Sequence, residues 1–136
     1  MEFDFDHVHF FVSDARALTD YFERVFGMKV VEYIDDHKRA VYAFFRLGGG
    51  TLRTRGVRED DSPDSRAPSL VEGLDHVGFA VDDVDATTAW LESRGADILM
   101  APQRTGIGGR AIAFIRGPGN VRIEICERVP PAGENT

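Results

Sequence analysis

Residues 6–14, DHVHFFVSD, and residues 75–83, DHVGFAVDD, lie 69 positions apart (76 minus 7) and agree at an aspartate, a histidine, a valine, a phenylalanine, a second valine and a final aspartate. The segments downstream of the two copies agree in kind. Ser13 or Asp14 caps ALTDYFERVF, which stops at Gly27, and Asp82 or Asp83 caps VDATTAWLES, which stops at Gly95. Leu18, Tyr21, Phe22, Val25 and Phe26 recur at spacings of three and four, so the first helix buries one face; Val84, Thr87, Thr88 and Leu91 do so more weakly in the second. A glycine just past each helix suits the left-handed terminating position. Each half therefore begins strand, helix, glycine stop.

Past Gly27, MKVVEYI reads as a strand, RAVYAFFRL as a second after the polar break DDHK, and TLRTRGV as a third after three glycines. Past Gly95, ADILM, RAIAFIR and NVRIEICE repeat that order, with APQRTGIGG and GPG as loops. Both modules thus read βαβββ. Module one covers 5–57, a charged linker 58–73 comes next in which SerLeuVal is able to form one helical turn, and module two covers 74–128, all within one domain, 1–128. The tail 129–136, with two prolines, is expected to be flexible. Neither module can bury its sheet face alone. The predicted fold is α+β, with two tandem βαβββ modules pairing into a curved, partly open eight-stranded mixed sheet around a cleft.

A chain of 136 residues, 43% hydrophobic and 29% charged, has the composition of one soluble globular domain. No apolar run reaches the ~18–20 residues of a membrane span, and the start, MEFDFDHVHF, lacks the basic and apolar regions of a secretory signal. A cytoplasmic protein without membrane contact is expected. The net charge of −7 leaves no electrostatic footprint for a nucleic acid backbone. Cys126 is the sole cysteine, so disulfides and cysteine-based zinc clusters are excluded and any metal needs histidine and carboxylate ligands.

Side chains two apart on a strand share a face, so His7, His9 and Phe11 oppose Val8, Phe10 and Val12. The apolar trio faces the helix, leaving His7, His9 and, in the second copy, His76 towards the cleft. In the last strand Val121, Ile123 and Ile125 form the helix-facing row, which turns Arg122, Glu124 and Cys126 the other way. Two equivalent histidines and a carboxylate make a donor set that holds Fe(II), Mn(II), Co(II), Ni(II) or Zn(II) with positions left open for water and substrate oxygens. The ThrGlyIleGlyGly loop, 105–109, lacks the lysine and the strand-before-helix setting of a phosphate-binding motif and reads as a hairpin connection.

Over residues 5 to 128 the chain resembles a two-module member of the vicinal oxygen chelate superfamily, which includes glyoxalase I, methylmalonyl-CoA epimerase, extradiol dioxygenases and bleomycin-binding proteins. PQRTGIGGRAIAFIRGPGNVRIEI, preceded by DHVGFAVDDVDA, is similar to the second module of methylmalonyl-CoA epimerases. FDHVHFFVSDARALTDYFERVFGMKVVEY is similar to the amino-terminal module of 4-hydroxyphenylpyruvate dioxygenases. The resemblance implies metal ligands at His7, His76 and Glu124. It also implies a fourth ligand, Glu or Gln, on the last strand of module one, where this chain offers Arg53, Thr54 or Arg55 instead. The GlyProGlyAsn turn, 117–120, departs from the aspartate-proline-aspartate-glycine turn of fosfomycin transferases.

The function this implies is a metal-dependent isomerase or epimerase that chelates neighbouring oxygens of a small hydroxyketone, sugar-like ketone or acyl thioester, and removes a proton through a metal-stabilised enolate. An Fe(II) dioxygenase, a glyoxalase-like lyase and a metal-free antibiotic-binding protein are the alternatives. Glu124, His9, His37 and Asp36 are the candidates for acid–base work. Arg53, Arg55 and Arg122 are the candidates for binding an anionic or polyoxygenated substrate. Members of the superfamily are commonly dimers, and a homodimer is expected.

Overall fold

A computed structural model describes residues 1–2, 6–37, 40–62 and 74–128, without the side chains of 35–37, 40 and 41. The linker's predicted helical turn and the tail lie outside the described residues. The element order is β1 (His7–Phe11), α1 (Ala15–Arg24), β2 (Val30–His37), β3 (Ala40–Leu47), β4 (Gly50–Arg55), β5 (Val77–Val81), α2 (Val84–Ser93), β6 (Asp97–Gln103), β7 (Ile112–Arg116) and β8 (Arg122–Glu127). Short 3-10 turns at Ile107–Gly109 and Pro118–Asn120 join β6 to β7 and β7 to β8. This is the expected α+β pattern of two βαβββ modules. Each module builds a four-stranded mixed sheet, in the orders β1-β4-β3-β2 and β5-β8-β7-β6, with the first strand parallel to the last.

The caps behave as the sequence requires. Asp14 accepts from the Ala17 amide at 3.0 Å and Asp83 from the Ala86 amide at 2.9 Å, so each helix start has one orphan donor satisfied. Gly27 and Gly95 end the helices with φ of 68° and 97°, a region that L side chains avoid.

In the first unit α1 packs on β3 and β4, burying Leu18, Phe22 and Val25 against Phe45 and Leu52. Phe22 stacks on Phe10 at 6.3 Å between ring centres and meets Phe45 edge-on at 5.7 Å. The buried hydroxyl of Thr19 donates to the Ala15 carbonyl at 2.7 Å and lies 3.0 Å from that of Thr54, so two polar groups under the helix are paired. In the second unit Leu91 packs with Ile115, Ile123 and Ile125 in the same manner.

Two strand boundaries differ from expectation. The sequence places a polar break at residue 35, directly after MKVVEYI, but β2 runs on to His37, which pairs with Ala40 after a register shift from Ile34. Asp36 and His37 are therefore strand residues and not part of the break. Likewise β6 continues through APQ to Gln103. Pro102 is tolerated because β6 pairs only with β7 and so forms a sheet edge, with an irregular register between Met100 and Gln103. Among the described residues, no helix is long and apolar enough to cross a membrane.

The turn Pro118–Asn120 belongs to the first unit, where Gly119 lies against Val12. A Cβ at Gly119, whose φ is +70°, would come 2.5 Å from Val12 Cγ1, whereas a Cβ at Gly108, at φ +72°, meets nothing within 4 Å. Gly108→Ala should therefore carry only the left-handed cost of ~1–2 kcal/mol. Gly119→Ala should cost at least about 1 kcal/mol more, because buried Val12 must also move. Urea unfolding of the pair measures the difference, and equal midpoints would show that the contact with Val12 relaxes freely.

Candidate metal centre

In β1, His7, His9 and Phe11 are exposed while Val8 and Phe10 are turned towards cover, the alternation read from the sequence. His7 Nδ1 lies 2.5 Å from Asp6 Oδ2. That bond is the main cause holding the Asp6 carboxyl below its ordinary range, with Arg53 assisting. An ionised carboxylate only accepts, so Nδ1 carries the hydrogen that faces Asp6.

The second unit repeats the device. His76 Nδ1 is 2.7 Å from Asp75 Oδ2, whose carboxyl is likewise lowered chiefly by that bond. Asp75 is itself gripped by Arg122 Nη1 at 3.0 and 3.2 Å to its two oxygens, and the Arg122 guanidinium lies 4.3 Å from the centre of the Phe114 ring. Phe114 also meets His76 edge-on at 5.2 Å. The imidazole is thereby fixed from two sides.

Its other nitrogen, Nε2, is 2.8 Å from Glu124 Oε2. That distance is a hydrogen bond, and it brings together one imidazole nitrogen and one carboxylate oxygen, two donors of the kind that could hold a divalent ion. A carboxylate behind the histidine and a carboxylate at its second nitrogen are what a divalent ion would require of its outer and inner partners. The side chains of His76 and Glu124 are 31% and 20% exposed, open enough for an ion to enter. The described residues hold no group of three or more His, Cys, Asp or Glu side chains close enough to bind an ion together.

Strand register settles which residue of β4 answers to Glu124. In the second unit Gly78 pairs with Glu124, and in the first His9 pairs with Arg53. Phe44 stands opposite Arg53 as Phe114 stands opposite Glu124. Arg53 therefore holds the carboxylate's place, while Thr54 is buried beneath α1. Arg53 donates through Nε to Thr51 Oγ1 at 3.0 Å and through Nη2 to Asp6 Oδ2 at 3.3 Å. Arg55, also expected at the site, is held by Asp61 at 2.6 Å and lies over Phe11 at 4.7 Å.

His9 has its pKa lowered, first by partial withdrawal from water and then by His7, Arg55, Arg53 and Arg58 around it. Its imidazole is neutral at neutral pH and can accept a proton. The side chains of Asp36 and His37 are not among those described, so only their places at the end of β2 are known. Cys126 is buried and its thiol points to the Phe79 carbonyl at 3.6 Å. The ThrGlyIleGlyGly loop is closed on itself: the Gly106 amide donates to Arg110 O at 3.0 Å and the Gly109 amide to Gly106 O at 2.9 Å.

Asp6 and Asp75 are the site residues that sequence reasoning does not single out. Their signal is present, since the repeat preserves the aspartate as strictly as the histidine, but within a strand motif nothing local assigns it a role.

Residues 4–125 match the Glyoxalase/Bleomycin resistance protein/Dioxygenase superfamily. The chain is 30% identical over 131 residues to a probable chloroplastic lactoylglutathione lyase of Arabidopsis thaliana, covering 91% of this chain and 35% of that protein. Among solved structures, glyoxalase I from Zea mays superposes with a TM-score of 0.72 at 25% identity, over 91% of this chain and 44% of that one. A glyoxalase family protein from Enterococcus faecalis superposes at 0.76 with 20% identity, over 91% and 97% of the two chains, a likeness of fold alone. The chain spans less than half the length of the Arabidopsis thaliana and Brassica oleracea lactoylglutathione lyases it matches.

Proposed function

The chain belongs to the glyoxalase/bleomycin resistance protein/dioxygenase superfamily, and from that premise we propose that it is a divalent-metal isomerase or epimerase acting on the carbon beside a carbonyl. The substrate class is a small hydroxyketone, sugar-like ketone or acyl thioester with two neighbouring oxygens. The observation that carries this reading is the His76–Glu124 pair at 2.8 Å, with Asp75 behind the histidine. His7, the further ligand that the sequence resemblance implies, is prepared by Asp6 in the same way. A divalent ion bound there would supply Lewis-acid polarisation of the substrate's neighbouring oxygens.

The protein's own groups divide the remaining work. Asp6 and Asp75 keep the ring hydrogens on Nδ1 and hold both imidazoles in one tautomer. His9, neutral and on the His7 face of β1, accepts the proton from carbon. Glu124 holds its carboxylate against His76, with Gly78 leaving the strand bare in front of it: a Cβ there would lie 3.6 Å from Glu124 Oε2.

A glyoxalase-like lyase is the second reading, favoured by the 30% identity to a lactoylglutathione lyase. Arg53 in the place of a fourth carboxylate or amide ligand separates this chain from that pattern. The deciding experiment incubates the zinc-, nickel- or manganese-loaded protein in deuterium oxide with dihydroxyacetone and with lactoylglutathione. Deuterium entering the carbon beside the carbonyl of dihydroxyacetone is the expected result. Conversion of lactoylglutathione to methylglyoxal and free glutathione, with no deuterium entering dihydroxyacetone, would transfer the assignment to the lyase, and oxygen consumption by an iron-loaded sample would transfer it to a dioxygenase.

A further inference from the structure

On the exposed face of the first sheet, Arg53 and Arg55 alternate along β4 with buried Thr54 between them, so both guanidinium groups stand on the face that carries His7 and His9. Each is laid over an aromatic ring, Arg53 over Phe44 at 4.9 Å and Arg55 over Phe11 at 4.7 Å. Stacking fixes the plane of each fork and leaves its edges free for hydrogen bonding. Arg58 adds a third cation, bonded through Nε to Tyr42 Oη at 2.5 Å, and Tyr42 packs against His9 at 6.0 Å between ring centres.

We propose that this face of the first sheet is a binding site for an oxyanion, carboxylate or phosphate, carried by the substrate. Asp6 and Asp61 engage one edge of Arg53 and Arg55, but Arg53 Nη1 and Arg55 Nη2 have no partner among the described residues. Two arginines two residues apart on a strand stand about 6.5–7 Å apart at their Cα atoms, close enough for both forks to close on one oxyanion. Arg53 pairs with His9, also about 7 Å along the strand from His7, which suits an anion on a small molecule whose other end reaches His7.

The second unit shows that this is not a property of the repeat. There the places of Arg53 and Arg55 are held by Glu124 and Cys126, opposite Gly78 and Ala80. Its arginine, Arg122, sits two positions earlier and is committed to both oxygens of Asp75. In a chain of net charge −7, two neighbouring arginines in place of a carboxylate and a thiol mark a specific demand for negative charge. The site deepens the proposed metal chemistry by naming the substrate's charge, and it rests on that reading only for the identity of the anion's owner.

The test uses the full chain freed of metal by a chelator, so that a failed metal site leaves the anion result standing. Succinate and inorganic phosphate are titrated by calorimetry at low salt into wild type, Arg53→Ala, Arg55→Ala, and Arg104→Ala as a control on an arginine that is 73% exposed. The expected result is saturable binding to wild type and to Arg104→Ala, weakened about tenfold or more in each of the other variants, as loss of a charge-assisted bidentate pair requires. Arg53→Lys and Arg55→Lys keep the charge and the stem, guard against misfolding, and should bind a few-fold more weakly than wild type because the planar fork is gone. Tighter binding of phosphate identifies a phosphorylated substrate, and tighter binding of succinate a carboxylic acid. No saturable binding to wild type, or equal affinity in wild type, Arg53→Ala and Arg55→Ala, overturns the site.

Discussion

His76→Ala is expected to give a folded protein that retains no divalent ion through purification and turns over no substrate. The side chain contributes little to stability, since its hydrogen bonds to Asp75 and Glu124 are part-exposed. Its removal deletes the donor nitrogen and leaves Glu124 Oε2 facing a gap. Loss of an outer partner such as Asp75 typically lowers metal affinity ~10–100-fold, so deletion of an inner ligand should exceed that range. Asp75→Ala is the companion variant. It keeps both donor atoms but frees the ring to turn and to place its hydrogen on Nε2, and it should fall within the ~10–100-fold window. Elemental analysis and competition against a coloured chelator measure both. Wild-type metal occupancy in His76→Ala would remove the centre altogether. An unchanged affinity in Asp75→Ala would mean that Phe114 alone holds the imidazole.

The parts of this site legible in the sequence are those fixed by short-range periodicity. Six identities between two nine-residue stretches are enough to place His7 and His76 on matching strands, because a strand's two-residue alternation needs no knowledge of its neighbours. The caps at Asp14 and Asp83 and the stops at Gly27 and Gly95 are readable for the same reason. Register is not local in this way. Whether Arg53, Thr54 or Arg55 answers to Glu124 depends on pairing with β1, more than forty residues away, and a slip of one residue would exchange exposed arginine for buried threonine. The extension of β2 to His37 escapes sequence reasoning because a run of polar residues reads as a turn, although an edge strand with one face in water accepts such residues readily. The role of Asp6 and Asp75 escapes it because that role depends on a rotamer of the next residue's ring.

Phe22→Ala is expected to produce the largest loss of stability of any single truncation in the first unit. The ring is fully buried and lies among four other aromatics: Phe10, Tyr21, Phe26 and Phe45, with centre distances of 6.3, 5.9, 5.6 and 5.7 Å. Truncation removes the transfer energy of the ring and leaves a cavity whose walls are rings on β1, β3 and the helix itself, which cannot all close in together. The cost should be about 3–5 kcal/mol, against a total of about 5–15 kcal/mol for an ordinary domain. Leu91→Ala, the corresponding loss beneath α2, should cost about 2–5 kcal/mol. Phe10 joins this cluster on the covered face of the strand whose other face carries His7 and His9, so a relaxed cluster reaches the histidines through a single backbone. Urea unfolding should show a lower midpoint with an unchanged slope. A loss below about 1 kcal/mol would show that the surrounding rings refill the space, in which case rigid aromatic packing is not what holds β1 in place.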